Sequence, residues 1–332
     1  MKITNTITKS VLDIVGFENT SPEDFFPKNV ELRDGREAII WIHRQTGHGI
    51  LDSQYWESQD FYSEEYRNEF SAEVGKKITP KEHLKIYNNL NERQVNSFSR
   101  FLTDKTRFLE IGCSFGGILN KVSSAVDICH GVEPNKEDVE FVRLNNKKVK
   151  VYNTTFEQAN LAEEFYDTVV SIEVLEHTLS PRNFLKKCFY ILKTDGNLHI
   201  EVPNHIDVLL TCYEDTGYNK FFYHKAHIHY FTKDSLQILC TECGFNGHTF
   251  SFLMYPFFNH VWWVQNHRAQ TSAAIALSTP KPTQGKTKIQ QAINKFYHKT
   301  EMEYEQLINK HAVGDCLIFQ GHKRQTSSLS SK

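Results

Sequence analysis

Between Phe108 and Asn204 short apolar runs recur, each followed by an amphipathic stretch, and no other feature of the chain limits its fold so strongly. The runs are "RFLEIG", "ICHGVEP", "VKVYNTT", "DTVVSIEV" and "NLHIEVPN". Apolar strands alternating with helices predict a parallel sheet covered on both faces, because a crossover must carry the chain back before the next strand can run the same way. In "SPRNFLKKCFYILKTDG", Ser180 suits the cap and Pro181 the first helical position, while Phe184, Leu185, Cys188, Phe189 and Leu192 form an inward stripe. Asp195 and Gly196 are then expected to turn the chain into the fifth strand. Further on, "TKDSLQILCTECGF" reads as a helix closed by Gly244, "NGHTFSFLMY" as a sixth strand and "DCLIFQGHK" as a last strand returning to the same sheet. The expected fold is α/β: a Rossmann-like, doubly wound, mainly parallel seven-stranded sheet.

Around this core the pattern predicts an N-terminal lobe over 1–54, with a strand in "REAIIWIHR" and a Gly-rich turn in "TGHGIL". Residues 55–99 read as a helical lead or lid over the carboxyl edge of the sheet, with Leu84, Tyr87, Leu90 and Val95 at helical spacing. Residues 100–322 form the main domain, in which 254–311 is an insertion before the last strand. That insertion begins as a loop from Pro256 to about Lys288, holding Trp262 and Trp263, and continues as a helix to Lys310. A disordered Ser-rich tail is expected over 323–332.

Composition narrows the classes of function, leaving a nucleic-acid substrate unsupported but not excluded. With 38 basic against 40 acidic residues, no global field draws the chain to nucleic acid or an anionic membrane. No apolar run approaches the roughly 20 residues that span a bilayer, and "MKITNTITKS" lacks the pattern of a signal peptide. A cytoplasmic protein with reduced thiols is the expectation, since the 7 cysteines are odd in number and scattered. Cys240 and Cys243 have metal-ligand spacing but no second pair. They share an apolar helix face with Leu236 and Leu239, so a buried helix is expected there and no metal.

Chemistry concentrates in "FLEIGCSFGG", where a strand ends in Glu110 and runs into a turn carrying Gly112 and Gly116. Such a turn at the carboxyl edge of a parallel sheet is a ligand site, and glycine lets backbone approach the ligand closely. The Gly-x-Gly-x-x-Gly phosphate pattern is missing, and Glu110 favours a cationic group over an anion. Glu133 ends the next strand, where an acid accepts hydrogen bonds from both ribose hydroxyls. Together the two carboxylates specify a nucleoside with a positively charged arm.

The segments "FLEIGCSFGGIL", "GVEPN", "YNTTFEQA", "DTVVSIEVLEH", "LKTDGNLHIEVPN" and "HIHYFTKDSLQILCTECGF" resemble, in order, the motifs of class I S-adenosylmethionine-dependent methyltransferases. The resemblance is closest to small-molecule O- and C-methyltransferases of the ubiquinone and sugar type, and covers about residues 100–253. It implies S-adenosylmethionine as cofactor, with Glu110, Gly112 and Gly116 at its amino-acid arm and Glu133 at its ribose. It places Phe156 in stacking contact with adenine, Glu157 near the exocyclic amine and Glu173 by the methionine part. By their own chemistry Phe156 equally suits a core position and Glu157 a solvated helix start.

For the methyl acceptor the chain offers His177, His205, His224, His227 and His229. "AHIHYFT" is similar to an acceptor-pocket segment of sugar C-methyltransferases, whose first His matches His227. The acidic neighbour found there is Ala226 here, which removes the expected His–carboxylate pair, and His229 stands where an aromatic belongs. The resemblance thus makes His227, His177 and His229 the catalytic candidates and Tyr223, His224, His205 and Tyr66 the acceptor-binding ones. "DFYSEEYRNEF" resembles a Tyr-rich helix that folds over the cofactor, which brings in Tyr62, Tyr66 and Arg67. Residues 1–99 contain no Cys, unlike the zinc module of the sugar C-methyltransferases. The activity implied is methyl transfer to a small polar acceptor, a hydroxyl of a sugar, nucleotide-linked or surface-glycan precursor. An RNA or protein acceptor, or a non-catalytic cofactor-binding module, are the alternatives.

Overall fold

A computed structural model describes residues 6–17, 19–58, 61 and 78–324. Its strands are β1 (Phe25–Glu31), β2 (Glu37–His43), β3 (Gly49–Leu51), β4 (Arg107–Ile111), β5 (Ile128–Glu133), β6 (Val149–Asn153), β7 (Tyr166–Ile172), β8 (Leu192–Pro203), β9 (His229–Tyr230), β10 (Phe245–Phe252) and β11 (Cys316–Lys323). Seven form one sheet in the order β10-β11-β8-β7-β4-β5-β6. The pairs from β8 to β6 are parallel, whereas β11 runs antiparallel to both β8 and β10. The α/β, doubly wound and mainly parallel sheet expected from the sequence is therefore present.

Adjacent residues of β4 show why both faces must be covered. Leu109 joins an apolar cluster with Phe184, Leu185 and Cys188 of the Pro181–Ile191 helix and with Leu236 and Cys240 of the Lys233–Glu242 helix. Phe108 belongs to a cluster on the opposite face with Phe98, Leu119, Val139 and Val142. Side chains along a strand point alternately to its two faces, so an apolar run without polar breaks needs helices on both. The "CTEC" cysteines are part of this packing: Cys240 and Cys243 are buried against the first cluster.

Ser180 caps the Pro181–Ile191 helix by accepting from the Asn183 amide. The expected turn at Asp195–Gly196 does not form. β8 starts already at Leu192, and its pairing with β7 slips between Tyr166 and Thr168. Asp195 adopts φ 61°, a left-handed conformation that Asp tolerates, so the extra residues bulge out of a continuous strand.

The lead helix, Pro80–Phe98, starts with a capping box between Thr79 and Glu82. It lies across the carboxyl edge, where Gln94 Nε2 donates to Glu201 Oε1 at 2.9 Å. In the insertion, the expected loop beginning at Pro256 instead contains a helix, Phe257–Asn266. Buried Trp263 meets Tyr218 edge-on at 5.1 Å and Phe221 at 5.2 Å, and this packing outweighs the weak helix propensity of adjacent tryptophans. Lys323, expected to open the tail, is the last residue of β11. Its ammonium donates to Glu164 Oε1 and to the Leu192 carbonyl.

The N-terminal residues do form a sheet, in the order β1-β2-β3-β9, but not as a separate lobe. Its edge strand is His229–Tyr230 from the acceptor segment, paired with Gly49 and Ile50. Gly49 is required there: a Cβ would press on Ile40, His205 and Tyr230 at about 3 Å.

Candidate active site

At the end of β4 the chain turns through Gly112, at φ 74°, and Gly116, at φ 75°. A Cβ on Gly112 would run into the side chain of Val174, and one on Gly117 into Asn91 of the lead helix. Glycine is therefore required by space as well as by backbone conformation. Gly116 caps the short Gly117–Val122 helix.

Glu110 points into this turn with only 4% of its surface exposed, and its Oε2 has no hydrogen-bond partner. Burial pushes its carboxyl well above the ordinary range. A bond from the Leu119 backbone acts against this, and the charge of Glu133 adds to it. Glu133, at the end of β5, accepts from the amides of Ser114 and Asn135, both at 2.9 Å. These two bonds hold its carboxylate beside the glycine turn. A buried carboxylate with one oxygen left without a partner, beside a turn of backbone without side chains, suits a close-lying cation, so the residues fit the ammonium arm of S-adenosylmethionine.

Phe156 is buried, its ring 4.7 Å from that of Phe184, so packing in the core accounts for its side chain. Lys187 Nζ gathers the carbonyls of Phe156, Glu157 and Ala159 at 2.6, 3.0 and 2.7 Å. It thereby fixes the loop after β6, on which Glu157 is exposed. Glu173 directly follows β7 at φ 54°, and its Oε1 accepts from Cys316 Sγ. Burial first, then the charges of Glu176 and Glu201, push its carboxyl well up.

The histidines divide into two groups. His177, on a turn at Leu175–His177, donates from Nδ1 to the Ala226 carbonyl at 2.7 Å. Its ring centre is 4.8 Å from that of His227, which in turn lies 3.7 Å from His224. Glu176 sits between His177 and His227 with both carboxylate oxygens buried. Burial holds the His177 imidazole down at about 4 and that of His227 well below its ordinary value, while it raises Glu176 to about 8. A buried carboxylate, that of Glu176 in the "EVLEH" segment, thus lies 3.8 Å from His227 Nε2.

His205 and His229 belong to the framework instead. His205 Nδ1 bonds the Gly47 carbonyl and Nε2 meets the Tyr223 hydroxyl, both at 3.1 Å. Tyr223 also accepts from Lys28 Nζ at 2.7 Å. His229 Nδ1 meets His48 Nε2 at 3.1 Å, and its Nε2 faces the Leu179 carbonyl at 3.5 Å. Both ring nitrogens of His205 and of His229 are therefore engaged by the scaffold. Tyr62, Tyr66 and Arg67 lie outside the described residues.

The sequence reading missed Glu176, Glu201 and the His48–His229 contact. Glu176 had a signal, since its neighbours Glu173 and His177 were both singled out. Gln94 and His48 had none, because their partners lie far away along the chain.

A nearly parallel sheet closed by one antiparallel strand, with a glycine turn and two strand-end acids at its carboxyl edge, defines the class I S-adenosylmethionine-dependent methyltransferase type. The chain belongs to the methyltransferase domain family, whose model matches residues 82–249, just over half its length. It is 26% identical over 137 residues to the "Probable S-adenosylmethionine-dependent methyltransferase Rv3030" of Mycobacterium tuberculosis, covering 41% of this chain and 47% of that one. It is 30% identical over 117 residues to a ubiquinone biosynthesis O-methyltransferase of Bradyrhizobium diazoefficiens, covering 34% and 45%. The chain thus spans just under half the length of these relatives. A crystal structure of a SAM dependent methyltransferase from Archaeoglobus fulgidus aligns over 71% of this chain and 94% of its own, at 17% identity and a TM-score of 0.46. Among the described residues, no helix is long and apolar enough to cross a membrane.

Proposed function

We propose that this protein transfers the methyl group of S-adenosylmethionine to a hydroxyl of a small polar acceptor, in the first instance a sugar, nucleotide-linked or surface-glycan precursor. The observation that carries the cofactor half is the buried Glu110 carboxylate at the glycine turn, whose Oε2 has no hydrogen-bond partner, with Glu133 one strand away. When bound, the cofactor supplies a methyl group on a sulfonium whose charge disappears on transfer. Glu110 holds the ammonium, Glu133 the ribose diol, and the glycine turn keeps bulk away from the arm. The loop braced by Lys187 borders the adenine side, with Glu157 within reach of the exocyclic amine.

His177, His224 and His227 cluster at the carboxyl edge around Glu176, and they are the groups proposed to receive the acceptor. At neutral pH the His177 and His227 imidazoles are uncharged, so each offers a hydroxyl a nitrogen that accepts a hydrogen bond. Their proton affinity is low. The hydroxyl becomes acidic as its oxygen bonds to carbon, so its proton would pass to one of these imidazole nitrogens together with methyl transfer rather than before it. Alignment of oxygen and methyl carbon is then the main service of the site. The seven free cysteines suit a reducing, cytoplasmic setting.

Incubating the protein with radiolabelled S-adenosylmethionine and a panel of sugars and nucleotide sugars tests this reading. Label in at least one sugar is expected. No label in any of them, with cofactor binding intact, removes the sugar assignment.

A further inference from the structure

Glu176, His177 and His227 converge in a way that hydrogen bonding does not explain. His177 Nε2 lies 3.7 Å and His227 Nε2 3.8 Å from Glu176 Oε1. Hydrogen bonds to oxygen need about 3 Å, so neither contact is one. Neither oxygen of Glu176 has a hydrogen-bond partner, and its side chain is wholly buried. A buried acid left without a partner at such a position is unfavourable whether charged or neutral.

A shared cation resolves this arrangement. One ligand atom from each residue lies within 4.8 Å of the others. Around an ion with bonds of about 2.1 Å, such atoms stand roughly 3 to 3.5 Å apart, so each histidine needs to approach Glu176 by only a few tenths of an ångström, and the widest separation in the set closes by at most about 1.3 Å. Two further features suit it. The bond from His177 Nδ1 to the Ala226 carbonyl fixes the tautomer in which Nε2 carries the lone pair, which is how metal-binding histidines are commonly held. The Ile228 amide donates to the Glu176 carbonyl at 2.9 Å and ties the His227 segment to the Glu176 turn. Glu201 adds negative charge around Glu176, while Arg33 is the opposing cation nearest in effect to His227.

We propose that Glu176, His177 and His227 form a site for one first-row divalent cation, of which zinc is the representative. Two imidazoles and one carboxylate select such an ion over magnesium, which prefers oxygen ligands throughout. Three protein ligands leave a coordination position open. On the methyltransferase reading, on which this purpose but not the site itself rests, an acceptor oxygen fills that position, bonding the ion in place of the imidazole nitrogens, and is made more acidic by it.

The test uses the full chain after chelator treatment, titrated with zinc by calorimetry and with cobalt(II) by visible absorption. One ion per chain is expected. Glu176→Gln and His227→Gln should each weaken zinc binding at least about tenfold. His298→Gln, at an exposed position on the Lys288–Lys310 helix, should leave it unchanged. Binding of S-adenosylmethionine is measured on every sample, and its retention shows that a variant is folded. The site is overturned if the wild-type chain takes up no stoichiometric zinc, if both folded variants bind as well as wild type, or if magnesium displaces zinc at equal concentration. A cobalt spectrum of the wild-type chain without nitrogen-ligand bands overturns it even where a variant fails to fold. Zinc binding without any binding of S-adenosylmethionine overturns the methyltransferase reading and leaves the metal site standing.

Discussion

The two ends of the catalytic edge are built in different ways. At the proposed cofactor end, Glu110, Gly112 and Gly116 come from one strand and its turn, and Glu133 comes from the next strand, so local chain geometry and one parallel register place them all. At the proposed acceptor end, Glu176 and His177 follow β7, His227 precedes β9, and the backbone beneath them is completed by β3 of the N-terminal sheet. The first end can form wherever the parallel sheet forms. The second exists only once three distant stretches of chain have packed together.

The largest effect should follow from forcing a side chain into the local end. Gly112→Val introduces a Cβ at φ 74° that meets Val174, and left-handed strain alone costs about 1 to 3 kcal/mol. Loss of S-adenosylmethionine affinity by about a hundredfold or more is expected in calorimetry, with the circular dichroism of the sheet retained. Cofactor binding within a few-fold of wild type would mean that the turn does not approach the ligand.

Glu133→Ala should weaken binding by about 1 to 3 kcal/mol, the worth of hydrogen bonds to a charged group. His48→Ala makes the reciprocal cut at the composite end. Removing this fully buried ring breaks its contacts with His229 and Ser235, so turnover should fall and stability drop by roughly 1 to 3 kcal/mol. The cofactor dissociation constant should hardly move. If it moves in parallel with turnover, the two ends are not separable and the contrast fails.

A pH series addresses the charge stored at the acceptor end. Burial raises Glu201 to about 7, against which the Gln94 bond acts only in part. Because the folded value exceeds the unfolded one of about 4.5, Glu201's favourable contribution is complete below about 4.5 and is lost as pH rises through about 7. His177 and His205, lowered to about 4, work in the opposite sense: their stability is present above about 6.5 and lost toward 4. The two trends overlap, so the comparison to make is between wild type and Glu201→Gln. Relative to wild type, the variant should gain on the order of 1 to 3 kcal/mol between pH 4.5 and pH 7.5 in denaturant unfolding. A constant difference across that range would place the carboxylate in contact with water.

The smallest effect is expected for Lys187→Met. Losing the ammonium frees three carbonyls of the loop after β6, so cofactor affinity should fall by roughly 1 kcal/mol while acceptor saturation is unchanged.

This contrast also explains what could be read from the sequence. The seven strands and the Glu110–Gly112 turn were legible because each is encoded by neighbours: an apolar run, an acid, a glycine. Asp195–Gly196 misled because the same residue types serve a turn and a bulge, and only the pairing with β7 distinguishes them. The Phe257–Asn266 helix was hidden because Trp263 is held by Tyr218 and Phe221, which come from another part of the chain. Glu176 was visible as a residue but not as the partner of His227, since their proximity depends on the Ile228–Glu176 backbone bond. The family model likewise covers 82–249 and leaves β1 to β3 outside it.

That β9 is shared has a consequence for anyone wishing to redirect this enzyme toward a new acceptor. Exchanging residues 205–231 for those of a relative would import a strand with no matching edge at Gly49 and Ile50. On the proposed acceptor site, the inheritable unit of acceptor choice is therefore discontinuous: residues 25–51 must travel with 205–231 in any viable chimera, although the 153 positions of 52–204 separate them and can stay as they are.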